Sequence, residues 1–245
     1  MKIAVMGDIH GNVRALEAVL ADVKTSGAQH IIFLGDLVFM GLDPQLCFDL
    51  IVSMKPLVCL KGNTDRNLEE LATFVPQSEH DELMLKHIKY TDLRMYPKSK
   101  KQLADFPSSK RVEIENVSIL CCHGTPYSDK EGIFKSEPFS PSLSKKLYQE
   151  QVDLVLSAHT HVPADFVRDG IRFINPGAVG YSFDGDVRAS YALLTIEGSQ
   201  VRCSHRRIEY DIKRYMMEVE HATEGFPLFT LLLSSLESGR QISYR

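Results

Sequence analysis

Ile3-Ala4-Val5-Met6-Gly7-Asp8-Ile9-His10-Gly11-Asn12 is a short apolar run that stops at a glycine and then presents two metal-binding residue types two positions apart. Four apolar residues bounded by glycine read as a buried strand, being too few for a helix. The pattern recurs. Ile31-Ile32-Phe33-Leu34 runs into Gly35-Asp36, and Leu57-Val58-Cys59-Leu60 leads through Lys61 into Gly62-Asn63-Thr64-Asp65. Ile119-Leu120-Cys121-Cys122 runs into His123-Gly124, and Leu154-Val155-Leu156 leads through Ser157 into Ala158-His159-Thr160-His161. In open α/β sheets, ligands sit at the carboxyl edge of the strands. Asp8, His10, Asp36, Asn63, His123, His159 and His161 therefore read as one shared set of oxygen and nitrogen donors, suited to two metal ions. In extended backbone, residues two apart point to the same side, so Asp8/His10 and His159/His161 can each aim a pair into one space. Gly7, Gly11, Gly35, Gly62 and Gly124 flank these donors and are expected to supply the positive-φ turns.

Outward from that first strand, the opening of the chain reads β-α-β-α-β. Val13, Leu16, Val19, Leu20 and Val23 form a helical apolar face, with Asn12 as N-cap and Gly27 as C-cap. A second helix is expected over 43–54, with Pro44 in its first turn and Pro56 beyond its end. The unbroken apolar strands predict a sheet covered on both faces. Residues 66–107 are charged and proline-broken, with helical stretches near 67–74, 79–93 and 99–106; they read as a helical insertion over the sheet edge that covers the site. Beyond it lie a hairpin over 111–122, a loop over 127–141, a helix over 142–150, and strands at 153–157, 164–168, 171–174, 190–196 and 200–207. The extension from Glu209 to Arg245 carries two helices divided at Gly225-Phe226-Pro227, and its apolar stretch 229–236 is expected to pack on the body or on a second copy. Residues 1–245 are read as a single domain.

Bulk properties limit the function. A net charge of -4 supplies no global positive field, so no large nucleic acid and no membrane is expected as a partner. The chain enters its first strand at once, and its five cysteines include no C-x-x-C spacing; reduced, mostly buried thiols in a cytoplasmic protein are expected. Cys-Cys-His-Gly without a nearby following arginine excludes a cysteine-phosphatase loop. The chain has neither Gly-x-Ser-x-Gly nor a P-loop, so no covalent nucleophile is evident.

Asp8-x-His10, Gly35-Asp36, Gly62-Asn63-x-Asp65, His123-Gly124 and His159-x-His161, in that order, resemble the calcineurin-like metallophosphoesterases. The resemblance extends through Asn175-Pro176-Gly177-Ala178-Val179-Gly180, similar to that superfamily's closing loop. It implies a four-layer α/β/β/α sandwich, here α/β in class, with a helical insertion and a helical C-terminal tail. It also implies that one metal takes Asp8, His10 and His161, that the other takes Asn63, His123 and His159, and that Asp36 bridges them. Manganese is expected first among iron, zinc, cobalt and nickel. Two such cations would supply an acidified water as nucleophile and neutralise phosphate charge.

One position departs from the better-known family pattern. Many members carry His after Gly-Asn; here Thr64 stands there, and a hydroxyl is no general acid near neutral pH. Good leaving groups are therefore expected. Asp65 and His10 are the expected catalytic residues, with Asp65 open between handling a proton and bracing its loop. Lys98, Lys100, Lys101, Lys110 and Arg111 are either a solvated face or a polyphosphate contact, and Tyr127 and Tyr181 are candidates to stack on a base. His30, His80, His87, His205 and His221 read as surface or edge residues. The insertion and tail resemble bacterial members acting on nucleotides, including asymmetric diadenosine polyphosphate hydrolases. A phosphodiesterase and a non-catalytic scaffold, as in a retromer subunit, are the alternatives.

Overall fold

A computed structural model describes residues 1–222 and 227–241. The β-α-β-α-β opening forms as β1 (Lys2–Met6), α1 (Val13–Ser26), β2 (His30–Phe33), α2 (Pro44–Ser53) and β3 (Val58–Cys59). The insertion holds α3 (Asn63–Glu70), α4 (Glu79–Leu93) and α5 (Pro97–Ala104). Then come β4 (Ser109–Ile114), β5 (Val117–Cys122), α6 (Pro141–Glu150), β6 (Leu154–Leu156), β7 (Ala164–Arg168), β8 (Ile171–Asn175), β9 (Ala189–Glu197) and β10 (Gln200–Ile208). The tail contains α7 (Ile212–Ala222) and α8 (Pro227–Ser238); the expected break at Gly225-Phe226 lies outside the described residues.

The strands form two five-stranded sheets, ordered β10-β9-β1-β2-β3 and β4-β5-β6-β8-β7. The pairs β1–β2, β2–β3, β5–β6 and β6–β8 are parallel, which points the donor-bearing strand ends to one edge of the molecule. Period-two alternation in β1 builds the layers. Ile3 and Val5 enter the core between the sheets, with Ile32, Leu34, Ile119, Cys121 and Leu156. Ala4 and Met6 face the helical layer that contains Leu16, Val19, Phe48 and Ile51. On the far side, Leu120, Cys122 and Val155 meet Leu143 and Leu147 of α6. The four layers α/β/β/α are thus three apolar interfaces stacked in series. Among the described residues, no helix is long and apolar enough to cross a membrane.

One expected boundary changes. The first insertion helix begins at Asn63 rather than near residue 67, because Gly62 is extended and starts the helix there. The rest of the insertion thickens the helical layer: Leu68, Met95, Leu103 and Phe106 pack with α1 and α2. The first turn of α3 brings Asn63 to the edge where the expected donors gather. In the tail, Phe229, Leu232 and Leu236 are buried against Tyr90, Tyr181, Tyr215 and Val219 of the same chain, so this stretch serves the body.

His87 also departs from expectation. It is 2% exposed and lies between the rings of Phe39 and Phe229, because α8 returns over α4 from far along the chain. Burial brings its pKa down to about 4. The unfolded chain binds that proton near pH 6.5, so stability is lost as pH falls from about 6.5 toward 4. Between about pH 7 and about pH 5, urea unfolding should show a loss of about 2 kcal/mol from this residue. His87→Phe should remove that share of the slope; an unchanged slope would assign the acid sensitivity elsewhere.

Candidate metal centre

Each donor is delivered by a sharp turn that directly follows a strand. Among the described residues, five of the ten non-glycine positions with positive φ are expected donors: Asp8 (53°), His10 (51°), Asp36 (57°), His159 (67°) and His161 (57°). Left-handed backbone is costly for a residue with Cβ, about 1 kcal/mol or more each, so this edge stores strain. The flanking glycines divide into two kinds. Gly11 and Gly35 do turn as expected, at φ 65° and 101°, but Gly62 does not; a Cβ there would lie 2.0 Å from Asp36 Oδ1. Gly62 is needed for close approach rather than for handedness. The turns are locked to one another by backbone bonds: Asp8 N–H donates to Gly35 O, Ile9 and His10 N–H to Asp36 O, and Ala158 N–H to His123 O. Val179 and Gly180, of the closing loop, donate to Gly7 O and Asp8 O. Asn175 fastens that loop by donating to Ala158 O and Thr160 Oγ1.

All seven expected donors converge. Asp8, His10 and His161 present one atom each within 4.8 Å of one another, and so do Asp36, His123 and His159. Asp36 Oδ2 lies 3.6 Å from His10 Nε2 and 3.4 Å from His123 Nε2, and so faces both groups. Asn63 Oδ1 lies 3.1 Å from His123 Nε2. The histidine tautomers follow from the groups behind the rings. His10 Nδ1 meets Phe39 O at 3.0 Å, His123 Nδ1 meets Leu34 O at 2.8 Å, and His161 Nδ1 meets Tyr181 O at 2.7 Å. A carbonyl can only accept, so each Nδ1 carries a proton; on His10 and His161 the Nε2 lone pair then faces inward, and on His123 a cation would replace the second proton at Nε2. His10 Nε2 and His161 Nε2 are then lone pair to lone pair at 3.1 Å. That contact is repulsive between neutral rings and is relieved by a cation between them, so the residues present fit a metal pair.

The electrostatics agree with that fit. Burial raises the Asp8 pKa well above the ordinary carboxylate range. Burial opposes ionisation of Asp36 too, but His123 and His10 outweigh it and hold Asp36 low. Burial works against charge on His123, yet Asp36 and Asp8 lift it to about 10. Burial lowers His10, His159 and, most strongly, His161. Divalent cations satisfy this set without asking any buried ring to hold a proton.

Of the two roles left open for Asp65, the geometry is that of a brace. The residue is 1% exposed; Oδ1 accepts from Leu37 and Val38 N–H, and Oδ2 from Gly62 N–H. Burial and nearby Asp36 push its pKa up to about 7, but three N–H donors suit the anion. It ties the loop after Asp36 to the loop that carries Asn63. Asn12 caps α1, as expected, and also donates to Gly180 O. Tyr181 cannot stack on a base: it is buried, with its ring against His10 and His161. Tyr127 is 43% exposed, and its hydroxyl bonds with Ser140. Lys100 pairs with Asp92, and Arg111 with Glu113 and Glu150 O, which favours a solvated face for the basic stretch. His205 bonds to Asn175 O from β10.

Sequence reading missed the carbonyls of Leu34, Phe39 and Tyr181, which have no side-chain signal. It also missed Arg66. One turn beyond Asn63, Arg66 binds Asp129 Oδ2 through Nε (3.0 Å) and Nη2. Asp129 lies in the loop that follows His123. This ion pair joins the helix that starts at Asn63 to the loop that follows His123.

Fold and donor groups together define a metallohydrolase. The chain belongs to the calcineurin-like phosphoesterase superfamily, whose domain model matches residues 1–199. It is accordingly a metal-dependent phosphoester hydrolase, and the scaffold reading gives way to the enzyme. Protein MJ0912 of Methanocaldococcus jannaschii is 28% identical over 238 residues, covering 86% of this chain and 89% of that one. Phosphodiesterase YfcE of Escherichia coli K12 is 25% identical over 206 residues, covering 79% and 87%. The crystal structure of a metallophosphoesterase from Sphaerobacter thermophilus superposes with a TM-score of 0.75 at 26% identity, covering 98% of this chain and 99% of that one.

Cations that bind the folded state but not the unfolded chain stabilise it by mass action. Chelation of the metal-loaded protein should lower the thermal midpoint by about 5 °C or more. Asp36→Asn, which weakens the donor shared by both groups, should remove most of that difference. A chelation shift of wild-type size in Asp36→Asn would show that Asp36 does not hold metal.

Proposed function

We propose that two divalent ions occupy this edge, one held by Asp8, His10 and His161, the other by Asn63, His123 and His159, with Asp36 shared. The observation that carries this reading is Asp36 Oδ2 facing a histidine nitrogen of each group at 3.6 and 3.4 Å. The mixed imidazole, carboxylate and amide set suits Mn²⁺ or Fe first, then Zn²⁺, Co²⁺ or Ni²⁺. When bound, such ions supply an acidified water and neutralise the charge of the phosphate under attack. The chain's own residues do the rest. The carbonyls of Phe39, Leu34 and Tyr181 keep three imidazoles in the tautomer that offers Nε2 inward. Asp65 holds the Asn63 loop in register with Asp36. Thr64 donates its backbone N–H to Asp36 Oδ1 at 2.9 Å, which fixes that carboxylate's orientation.

For the substrate we infer a small phosphorylated molecule with a good leaving group, nucleotides and dinucleoside polyphosphates first. Two observations support this. Thr64 Oγ1 is buried without a hydrogen-bond partner among the described residues, so no acid stands at that position to protonate a poor leaving group. Arg66 spends its two contacts on one oxygen of Asp129, and its guanidinium retains donors for a second phosphate. Phosphodiesters are the second reading, favoured by the likeness to phosphodiesterase YfcE.

The test is a substrate series. On aryl phosphoesters, kcat/KM should fall steeply as the leaving-group pKa rises; a flat dependence would point to an acid elsewhere in the site. Arg66→Gln should raise KM for nucleoside di- and triphosphates by about tenfold, the worth of one charge-assisted hydrogen bond. The same variant should leave aryl phosphate hydrolysis within about twofold. Equal losses on both substrates would reduce Arg66 to a structural tie.

A further inference from the structure

The two donor groups are backed by different parts of the molecule. Behind the Asp36–His123–His159 group stands Leu34 O, from a strand end in the inter-sheet core. Behind the Asp8–His10–His161 group stand Phe39 O and Tyr181 O, and both of these residues lead into the C-terminal helices. The Phe39 ring packs edge-on to His87 (centroids 6.1 Å, 64°), and His87 lies 4.3 Å from Phe229 of α8. Tyr90 closes the other side of Phe229 at 5.4 Å. Tyr181 lays its ring on His10 (4.7 Å) and His161 (4.8 Å) and belongs to one apolar cluster with Met40, Tyr215, Val219, Phe229, Leu232 and Leu236. Phe39, Tyr215 and Phe229 are each 1% exposed or less, so there is little room for either carbonyl to move unless the tail does. The family model stops at residue 199, before α7 and α8 begin.

We propose that the α7–α8 pair sets the metal affinity of the Asp8–His10–His161 group and leaves the other group unaffected, with Phe229 as the positioning residue. The proposal rests on the two-ion reading above. Its physical content is that an imidazole binds a cation well only when its Nδ1–H is held and its ring is aimed. Loss of Phe229 frees His87 and Phe39, and with them the carbonyl that aims His10.

The experiment is a calorimetric titration of metal-stripped, full-length protein with Mn²⁺. Wild type should show two binding events per chain. Phe229→Ala should weaken one of them by about tenfold or more, within the 10–100-fold range seen when groups behind a metal ligand are removed, and leave the second within about twofold. Phe229→Tyr keeps the ring and should restore most of the loss. Leu147→Ala, a comparable truncation under α6, should leave both events unchanged. In a His161→Ala background, Phe229→Ala should have no further effect, because the ion it acts on is already lost. Should Phe229→Ala not fold, Phe229→Leu takes its place with a smaller but equally one-sided loss. Equal weakening of both events, or of neither, would overturn the proposal. A wild-type protein that binds fewer than two ions would instead sink the two-ion reading, and this proposal with it.

Discussion

Three buried imidazoles and two buried carboxylates can share one dry edge only if their lone pairs turn toward a common positive charge. In this protein the turning is done from behind. Leu34, Phe39 and Tyr181 each offer a backbone carbonyl to the outer nitrogen of a histidine, which turns the inner nitrogen toward the place a cation would take. Two of those inner nitrogens, on His10 and His161, meet at 3.1 Å. Neither burial nor hydrogen bonding within the protein makes that approach favourable, whereas a cation does. The proposed two-ion hydrolysis would rest on this arrangement, since only ligands held in advance keep two ions close enough to act on one phosphate.

The fold exists, in large part, to hold that edge under strain. Five donors adopt left-handed backbone, and they stay there because neighbouring turns are cross-linked by main-chain bonds and because Asp65 clamps three amides at once. The four-layer sandwich supplies the rigidity. Each parallel strand is covered on both faces, so its carboxyl end cannot drift without opening an apolar interface. The stability given up at the edge is offset in the three cores, as is common where function fixes geometry.

Much of this was legible in the sequence. Apolar runs of three or four residues that lead into Gly-Asp, Gly-Asn, His-Gly or His-x-His gave the strands and the expected donors together, and those seven residues meet. Asn12 and Gly27 marked the ends of α1 correctly because caps have side-chain chemistry of their own. What escaped was whatever depends on main-chain groups or on contacts between distant segments. The three carbonyls carry no residue signature. His87 read as a surface residue because nothing in α4 announces that α8 will cover it. Tyr181 read as a free ring because its neighbours, His10 and His161, are themselves assembled from far apart. Gly62 was misjudged in an instructive way: it is required by a contact with Asp36, which no local pattern encodes.

The most direct test is anomalous diffraction from crystals grown in Mn²⁺. It should reveal two ions about 3.5–4 Å apart, one against Asp8, His10 and His161, the other against Asn63, His123 and His159, with Asp36 between them. A single ion, or two ions that leave Asp36 on one side, would contradict the account at its foundation.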